Sequence, residues 1–320
     1  MKTIRALAAE LQAGQTTSVK LVEQALERIV TYRGQGGVSI KDLFDVQGEV
    51  TAAGSKALAD APAAQADALA VTRLRHAGAV LLGRTNMSEF AFSGLGLNPH
   101  YGTPRNPLDG TRVTGGSTSG GAVSVAGDMA VMALGTDTGG SIRIPSAFCG
   151  LTGFKPTARR VSLDGAVPLS TTLDSAGPLA RSVDCCAIAD AILSGETLAT
   201  DAVPLAGLRF GVTEDFVNDG MDDAVRAAFD AALARLQKAG ALIQRFSFPE
   251  LKELPSINAG GVSSRLRGAS AWTGRCRCRP HWIRPGRWRA ASIAARLPMR
   301  FCRAKPWPPM PCRWPDCVSA

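Results

Sequence analysis

Two glycine-rich strings, each set against an apolar run, restrict the fold of this 320-residue chain more than any other feature. "GGSTSGG" (115–121) leads into "AVSVAGD", and "GTDTGGSIRIPSAF" (135–148) follows the apolar "MAVMAL". Backbone so bare of side chains marks a tight turn, or a place where main-chain N–H groups approach another group closely. A strand that enters such a turn and leaves as a helix is the building unit of an α/β fold, and the rest of the chain repeats that alternation. Helical spacing covers 3–13 and 18–32, with Val22, Leu26 and Ile29 on one face and Thr17 or Ser18 placed to cap the second helix. "VSI" before Lys41 and "AVLLG" (79–83) predict strands, as does 129–137; "ADALAVTRLRHAG" (66–78) and "VDCCAIADAIL" (183–193) predict helices. A loop rich in Gly, Asn and Pro runs from Ser93 to about Thr114. "GLRFGVTE", "DDAVRAAFDAALARLQKAG" and "ALIQRFSF" then read as strand, amphipathic helix and strand. The expected fold class is α/β, a mixed central β-sheet covered by helices.

The net charge of +9 is unevenly placed. Residues 265–320 hold 12 Arg and one Lys against the single acid Asp316, so they contribute +12 and residues 1–264 contribute −3. All five Trp, five of the eight Cys and eight of the 19 Pro also fall there, which sets a boundary near Ser264. The expected division is one domain over 1–264 and an aberrant basic tail over 265–320, disordered. Arginine interleaved with tryptophan suits single-stranded nucleic acid. The body is mildly acidic, however, and nucleic acid is not the expected partner. The cysteines at 276, 278, 302, 312 and 317 do not make two C-x-x-C pairs, which argues against a zinc site. No run of eighteen apolar residues suggests a membrane span, and "MKTIRALAAELQAG" reads as a helix rather than a signal peptide. A cytoplasmic location follows by default, with Cys149, Cys185 and Cys186 as packing residues in a reducing compartment.

Glycine-rich turns before helices suit phosphate, but neither string fits G-x-x-x-x-G-K-[ST] or G-x-G-x-x-G. The serines in both strings raise the other use, nucleophilic attack, which needs a base and donors for a developing oxyanion. The chain has three histidines, His76, His100 and His281, and none stands in a persuasive setting for a base. Lys41 lies between the apolar "VSI" and "LF". As a neutral base it would need its pKa lowered from about 10.4 to about 7, at a cost of roughly 4.6 kcal/mol. Only a buried site with uncharged hydrogen-bonding partners sustains that. From the residues alone, a surface pairing of Lys41 with Asp42 or Asp45 is slightly the better expectation.

In this order and spacing, "VSIKDLFDV", "GGSTSGG" and "GTDTGGSIRIPSAFCGLTGFKPT" resemble the amidase signature family. The likeness continues through "LLGRTNMSEFAFSGLGLNPHYGTPRNP" and "GAVPLSTTLDSAGPLARSV" and covers about residues 1–260. The resemblance implies the amidase signature fold, incomplete at its C-terminal side, and a Ser-Ser-Lys triad. Ser141 would be the nucleophile, Ser117 the bridging serine held by a cis peptide, and Lys41 the base. The backbone N–H groups of Thr138, Gly139, Gly140 and Ser141 would form the oxyanion hole. The implied activity is hydrolysis of a small-molecule carboxylic amide to acid plus amine or ammonia through a serine acyl-enzyme, with no metal and no organic cofactor. Asp137 and Arg143 are expected to pair and hold the loop. Thr118 and Ser119 are expected to cap the following helix without chemistry.

Two departures from the family pattern matter. About a dozen residues separate Ile29 from Lys41 where the family inserts a longer segment, which puts the burial of the lysine at stake. The likeness also stops soon after "LPSINAGG". Alternatives are therefore a catalytically dead amidase remnant, or the glutaminase-type subunit of a tRNA-dependent amidotransferase. The second ranks lower because Ile144 stands where that branch has Gln, and "KDLFD" replaces its "KDN". Self-association into a homo-oligomer is compatible with the sequence and not specified by it. The composition of 265–320 is that of GC-rich coding DNA read out of frame. Translating the gene in its other two frames beyond Ser264 is expected to yield continued amidase-like sequence in one of them; two unrelated translations would sink that expectation.

Overall fold

The computed structural model describes residues 2–31, 40–198, 204–216 and 218–256. The tail over 265–320, His281 and the first two residues of "VSI" lie outside the described residues. The chain divides into two compact units, one built from residues 1–199 and one that begins at Thr200. Among the described residues no helix is long and apolar enough to cross a membrane.

The first unit holds β1 (Ile40–Lys41), β2 (Arg84–Thr85), β3 (Met132–Asp137), β4 (Thr152–Gly153) and β5 (Ser175–Ala180), in the order β2-β1-β3-β5-β4. β1 runs parallel to β2 and β3, while β5 is antiparallel to β3 and β4. The sheet is mixed, as expected. Its helices are α1 (Ile4–Gln12), α2 (Ser18–Thr31), α3 (Leu69–His76), α4 (Ser119–Ala126), α5 (Arg143–Phe148) and α6 (Val183–Ser194). All six residues of β5 and five of six in β3 are buried, so both faces of the central strands need cover. Period-two alternation supplies it on β3. Ala133 packs with Ala122, Val125 and Leu179 on one face, and Leu134 with Ile40, Phe44, Val71 and Leu74 on the other. Full burial of each Leu or Val contributes roughly 1.5–3 kcal/mol.

Local chemistry explains the helix ends. Thr3 caps α1 by accepting from Ala6 N, Thr17 accepts from Lys20 N at the start of α2, and Ser182 accepts from Cys185 N at the start of α6. Gly195, left-handed at φ 72°, ends α6. Several expectations need correction. The stretch 79–83 is not a strand, and pairing begins at Arg84–Thr85. The register pairs Ile40 with Arg84 and Lys41 with Thr85, so among the described residues β1 offers no register partner to 79–83. α3 starts at Leu69 rather than 66, because Asp67 accepts Gln47 N and Ala68 N donates to Asp45 O. On α2, Ala25 is buried and Leu26 exposed, since Val22, Ala25 and Ile29 lie on the inner stripe.

In the second unit β6 (Arg209–Thr213), α7 (Asp223–Lys238) and β7 (Leu242–Phe246) form one βαβ unit with parallel strands, Arg209 opposite Leu242 and Thr213 opposite Phe246. Asp222 caps α7 through Ala224 N. This is the strand, helix and strand expected from the sequence.

β5 is held close to the chain after β4. A Cβ on Gly177 would fall 2.4 Å from Phe154 O, a backbone atom that cannot swing aside. Gly177→Ala is expected to lower stability by about 1–3 kcal/mol through overpacking, read as a shift in the urea midpoint at unchanged slope.

Candidate active site

The parallel pairing of Ile40 with Leu134 sets Lys41 at the carboxyl end of β1, beside the second half of β3. In open α/β sheets that end is where ligand crevices form. The side chain turns inward and is fully buried, so the surface pairing with Asp42 or Asp45 is excluded. Asp42 instead accepts from Arg84 Nε at 2.8 Å, and Asp45 accepts from Thr51 at 2.7 Å. Lys41 Nζ lies 2.7 Å from Ser117 Oγ, 2.8 Å from Thr136 Oγ1 and 3.3 Å from Thr136 O. Among the described residues no carboxylate touches it. An uncharged amine has two N–H bonds and one lone pair, which matches two acceptors on Thr136 and one hydroxyl donor on Ser117. Burial, the largest influence, pulls the amine down from 10.5 to about 7, against an upward pull from the charges of Asp137 and Asp174.

Ser117 follows a cis peptide from Gly116 and precedes α4. The bare backbone of the first string has a steric cause here. A Cβ on Gly116 would lie 2.5 Å from Gly96 N, so the loop from Ser93 can close over the serine only if position 116 is glycine. Ser117 O accepts from Ser88 N, which anchors the string from the other side.

The second string is wound around Asp137, whose side chain is fully buried. Its carboxylate accepts the N–H groups of Gly140 (2.7 Å), Ile142 (3.1 Å) and Arg143 (3.3 Å), and Arg143 Nε bridges it at 3.0 Å. Burial pushes this carboxyl up, but Arg143 and the two amides of Ile142 and Gly140 outweigh it and hold it below the usual carboxylate range. The expected Asp137–Arg143 pair is therefore present. It also corrects one expectation, because the Gly140 N–H is engaged by Asp137 and is not open to a substrate. The N–H groups of Thr138, Gly139 and Ser141 make no such bond among the described residues. Thr138 is fixed separately, its hydroxyl donating to Asp174 at 2.5 Å, while Asp174 also accepts Leu169 N and Ser170 N.

Ser141 closes the set. Thr118 N donates to Ser141 O at 3.3 Å, which brings the two strings together, and Ser141 is 8% exposed where Ser117 is not exposed at all. Among the described residues the two serine hydroxyls are not hydrogen-bonded to each other. Ser117 Oγ is held by Lys41, and Ser141 Oγ makes no hydrogen bond among the described residues. Thr118 does not cap α4; its hydroxyl donates to Thr136 O, and Ser119 Oγ is buried without a partner among the described residues. His76 is exposed and His100 contacts Glu89 at 3.0 Å, so neither serves the serines. Burial pushes the thiols of Cys149 and Cys186 up to about 11 and about 12, as packing residues require. Two residues were missed from the sequence. Strand alternation would have put Thr136 on the face of Leu134; for Asp174, 36 residues beyond its partner Thr138, no local signal existed.

Beside Thr136 and Thr138 opens a cavity of about 240 Å³ with a mainly apolar wall that includes Leu43, Ala91, Val167 and Leu169. It shares Leu163, Thr171 and Asp174 with a second cavity of about 420 Å³ that carries Arg73, Arg159 and Arg160.

Fold and site define an α/β protein with a buried lysine–serine pair at the carboxyl end of parallel strands. The family model for Amidase matches residues 37–271, and the chain belongs to that family. It is 37% identical to a glutamyl-tRNA(Gln) amidotransferase subunit from Chromohalobacter salexigens over 78% of this chain and 60% of the relative. It is 43% identical to the 2-amino-5-chloromuconic acid deaminase of Comamonas testosteroni over 71% of this chain and 50% of the relative. A crystal structure of an amidase superposes with a TM-score of 0.77 at 33% identity, covering 95% of this chain and 74% of the other. The peptide amidase of Stenotrophomonas maltophilia follows at 0.72 and 28%, over 83% and 68%. The chain spans about half to three fifths of the length of the curated relatives it matches.

The lysine carries a stability signature. Its folded pKa is depressed, so between about 7 and 10.5 the unfolded chain binds a proton that the folded chain does not, and stability rises with pH across that window. The destabilisation is roughly 5 kcal/mol, complete below pH 7 and gone above 10.5. Chemical denaturation over this range is expected to show the slope in the wild type and its loss in Lys41→Met.

Proposed function

We propose that the chain hydrolyses a small-molecule carboxylic amide through an acyl-enzyme on Ser141. The observation that carries this is the 2.7 Å contact between a fully buried lysine and Ser117. Lys41, uncharged, takes the proton of Ser117 as Ser117 takes that of Ser141, and the Ser141 oxygen attacks the carbonyl carbon. A turn of the Ser141 hydroxyl toward Ser117 completes the relay. The carbonyl oxygen gains negative charge facing the N–H groups of Thr138, Gly139 and Ser141; one such donor is worth about 2.7–4 kcal/mol in the transition state. As the C–N bond breaks, the proton returns from Lys41 by way of Ser117 to the departing nitrogen. Water, deprotonated by the same route, then cleaves the ester and restores Ser141. We place this chemistry in the cytoplasm.

A second reading, the glutaminase-type component of an amidotransferase, is favoured by the relative from Chromohalobacter salexigens and by that from Ralstonia nicotianae at 42% identity. Ile144 and the "KDLFD" that carries Lys41 keep the simple amidase ahead.

A serine-directed fluorophosphonate is expected to leave one adduct, on Ser141, located by mass spectrometry. Labelling should vanish in Lys41→Ala. Its rate should fall as pH drops through about 7, because the protonated amine cannot accept the hydroxyl proton. A folded chain that never labels would overturn the proposal in favour of a remnant.

A further inference from the structure

The turn Thr157–Arg160 closes with Arg160 N donating to Thr157 O at 3.1 Å. Its third residue, Arg159, has φ 71°, and Ala158 before it is not in the positive-φ region. This is the pattern of a type II turn, whose third position favours glycine because a side chain there is strained. The chain places a large cation at that position. Strain of this kind persists when the side chain's position is useful, and the sound inference runs from the outlier to a role.

Arg159 lines the 420 Å³ cavity. Of the other two guanidinium groups on that wall, Arg160 is paired with acids, while Arg73 bonds a neutral carbonyl and keeps its charge. Arg160 bonds Asp190 at 2.9 Å and Glu196 at 2.9 Å, and Arg73 donates to Leu193 O at 2.6 Å. Arg159 has no carboxylate partner among the described residues. The one acid on the wall, Asp174, keeps its charge but accepts from Thr138, Leu169 and Ser170 and makes no ion pair with Arg159. Through Leu163, Thr171 and Asp174 this cavity adjoins the apolar one beside Thr138.

We infer that Arg159 is a specificity-determining residue that binds a carboxylate at the far end of the acyl group, so that the preferred substrate is a monoamide of an aliphatic dicarboxylic acid. The inference rests on the proposed amidase reading for its placement. The amide carbonyl would sit at Thr138, the methylene chain along Leu43, Val167 and Leu169, and the second carboxylate against Arg159. Arg159 is exposed to solvent; its planar guanidinium offers paired N–H donors that match a carboxylate, while a neutral chain end would leave it to water.

The test compares straight-chain dicarboxylic monoamides with the methyl-ended amides of equal length, in the wild type, Arg159→Gln and Arg159→Gly. The Gly variant relieves the positive φ and is expected to melt at or above the wild-type temperature, so loss of specificity there is not loss of fold. The wild type is expected to favour the carboxylate-ended series by at least about tenfold in kcat/KM, and both variants to lose that preference while keeping their rate on the methyl-ended series. Adipate binding, read by calorimetry, needs no turnover and separates the two ideas. Adipate that binds the wild type but not Arg159→Gly, with no hydrolysis of any amide, would keep the subsite and overturn the function. Hydrolysis without a preference, or a preference that survives Arg159→Gly, would overturn the subsite alone. Neither binding nor hydrolysis would overturn both.

Discussion

An amine sealed from water against three uncharged oxygens is the constraint from which the rest of this structure follows. Lys41 loses hydration and receives no ion pair in exchange, so its pKa falls to about 7 and the neutral form is well populated near neutral pH. That outcome requires walls. The mixed sheet supplies them, because β1 lies between β2 and β3 and its neighbour Ile40 belongs to the same buried cluster as Leu134. The segment before the strand is shorter than the family pattern leads one to expect, yet burial is complete. β3 and the loop at Ser117 supply the partners of the amine.

A second charge is handled in the opposite way. Asp137 is buried as deeply as Lys41 but keeps its charge, since Arg143 and three backbone amides replace the lost water. Its position at the end of β3 converts the glycine string into a fixed turn. That turn leaves the N–H groups of Gly139 and Ser141 unbonded among the described residues while it consumes the one on Gly140. One aspartate thus organises the loop and also limits how many donors it can offer. In the first string Gly116 and Gly120 allow one backbone to approach another closely, whereas in the second Gly135 and Gly140 meet only side chains and Gly140 also takes a positive φ of 130°.

Much of the fold was legible. Period 3.6 in α2, α6 and α7 and the apolar runs of β3, β6 and β7 identify their elements, because burial of one stripe or one face leaves a local trace. β2 and the start of α3 were misplaced for a shared reason. Their limits are set by partners far along the chain, Ile40 for one and Asp45 and Gln47 for the other, and nothing within 66–85 records those contacts. Of the site, the glycine–serine strings and an apolar-flanked lysine were visible as residue types. The hydrogen bonds that give them meaning were not.

The sequence by itself determined the alternation of strands and helices, the two serine-bearing turns, and the resemblance that orders Lys41, Ser117 and Ser141 into one constellation. Only the tertiary structure decided that the lysine is buried and without an acid partner, that Thr136 and Asp174 belong to the site, and that Gly140 is not a free donor. The physical reason is range. Periodicity and turn chemistry act within a few residues, whereas the protonation of an amine depends on every group within several ångströms, and here those groups come from positions as far apart as 41, 117, 136 and 174.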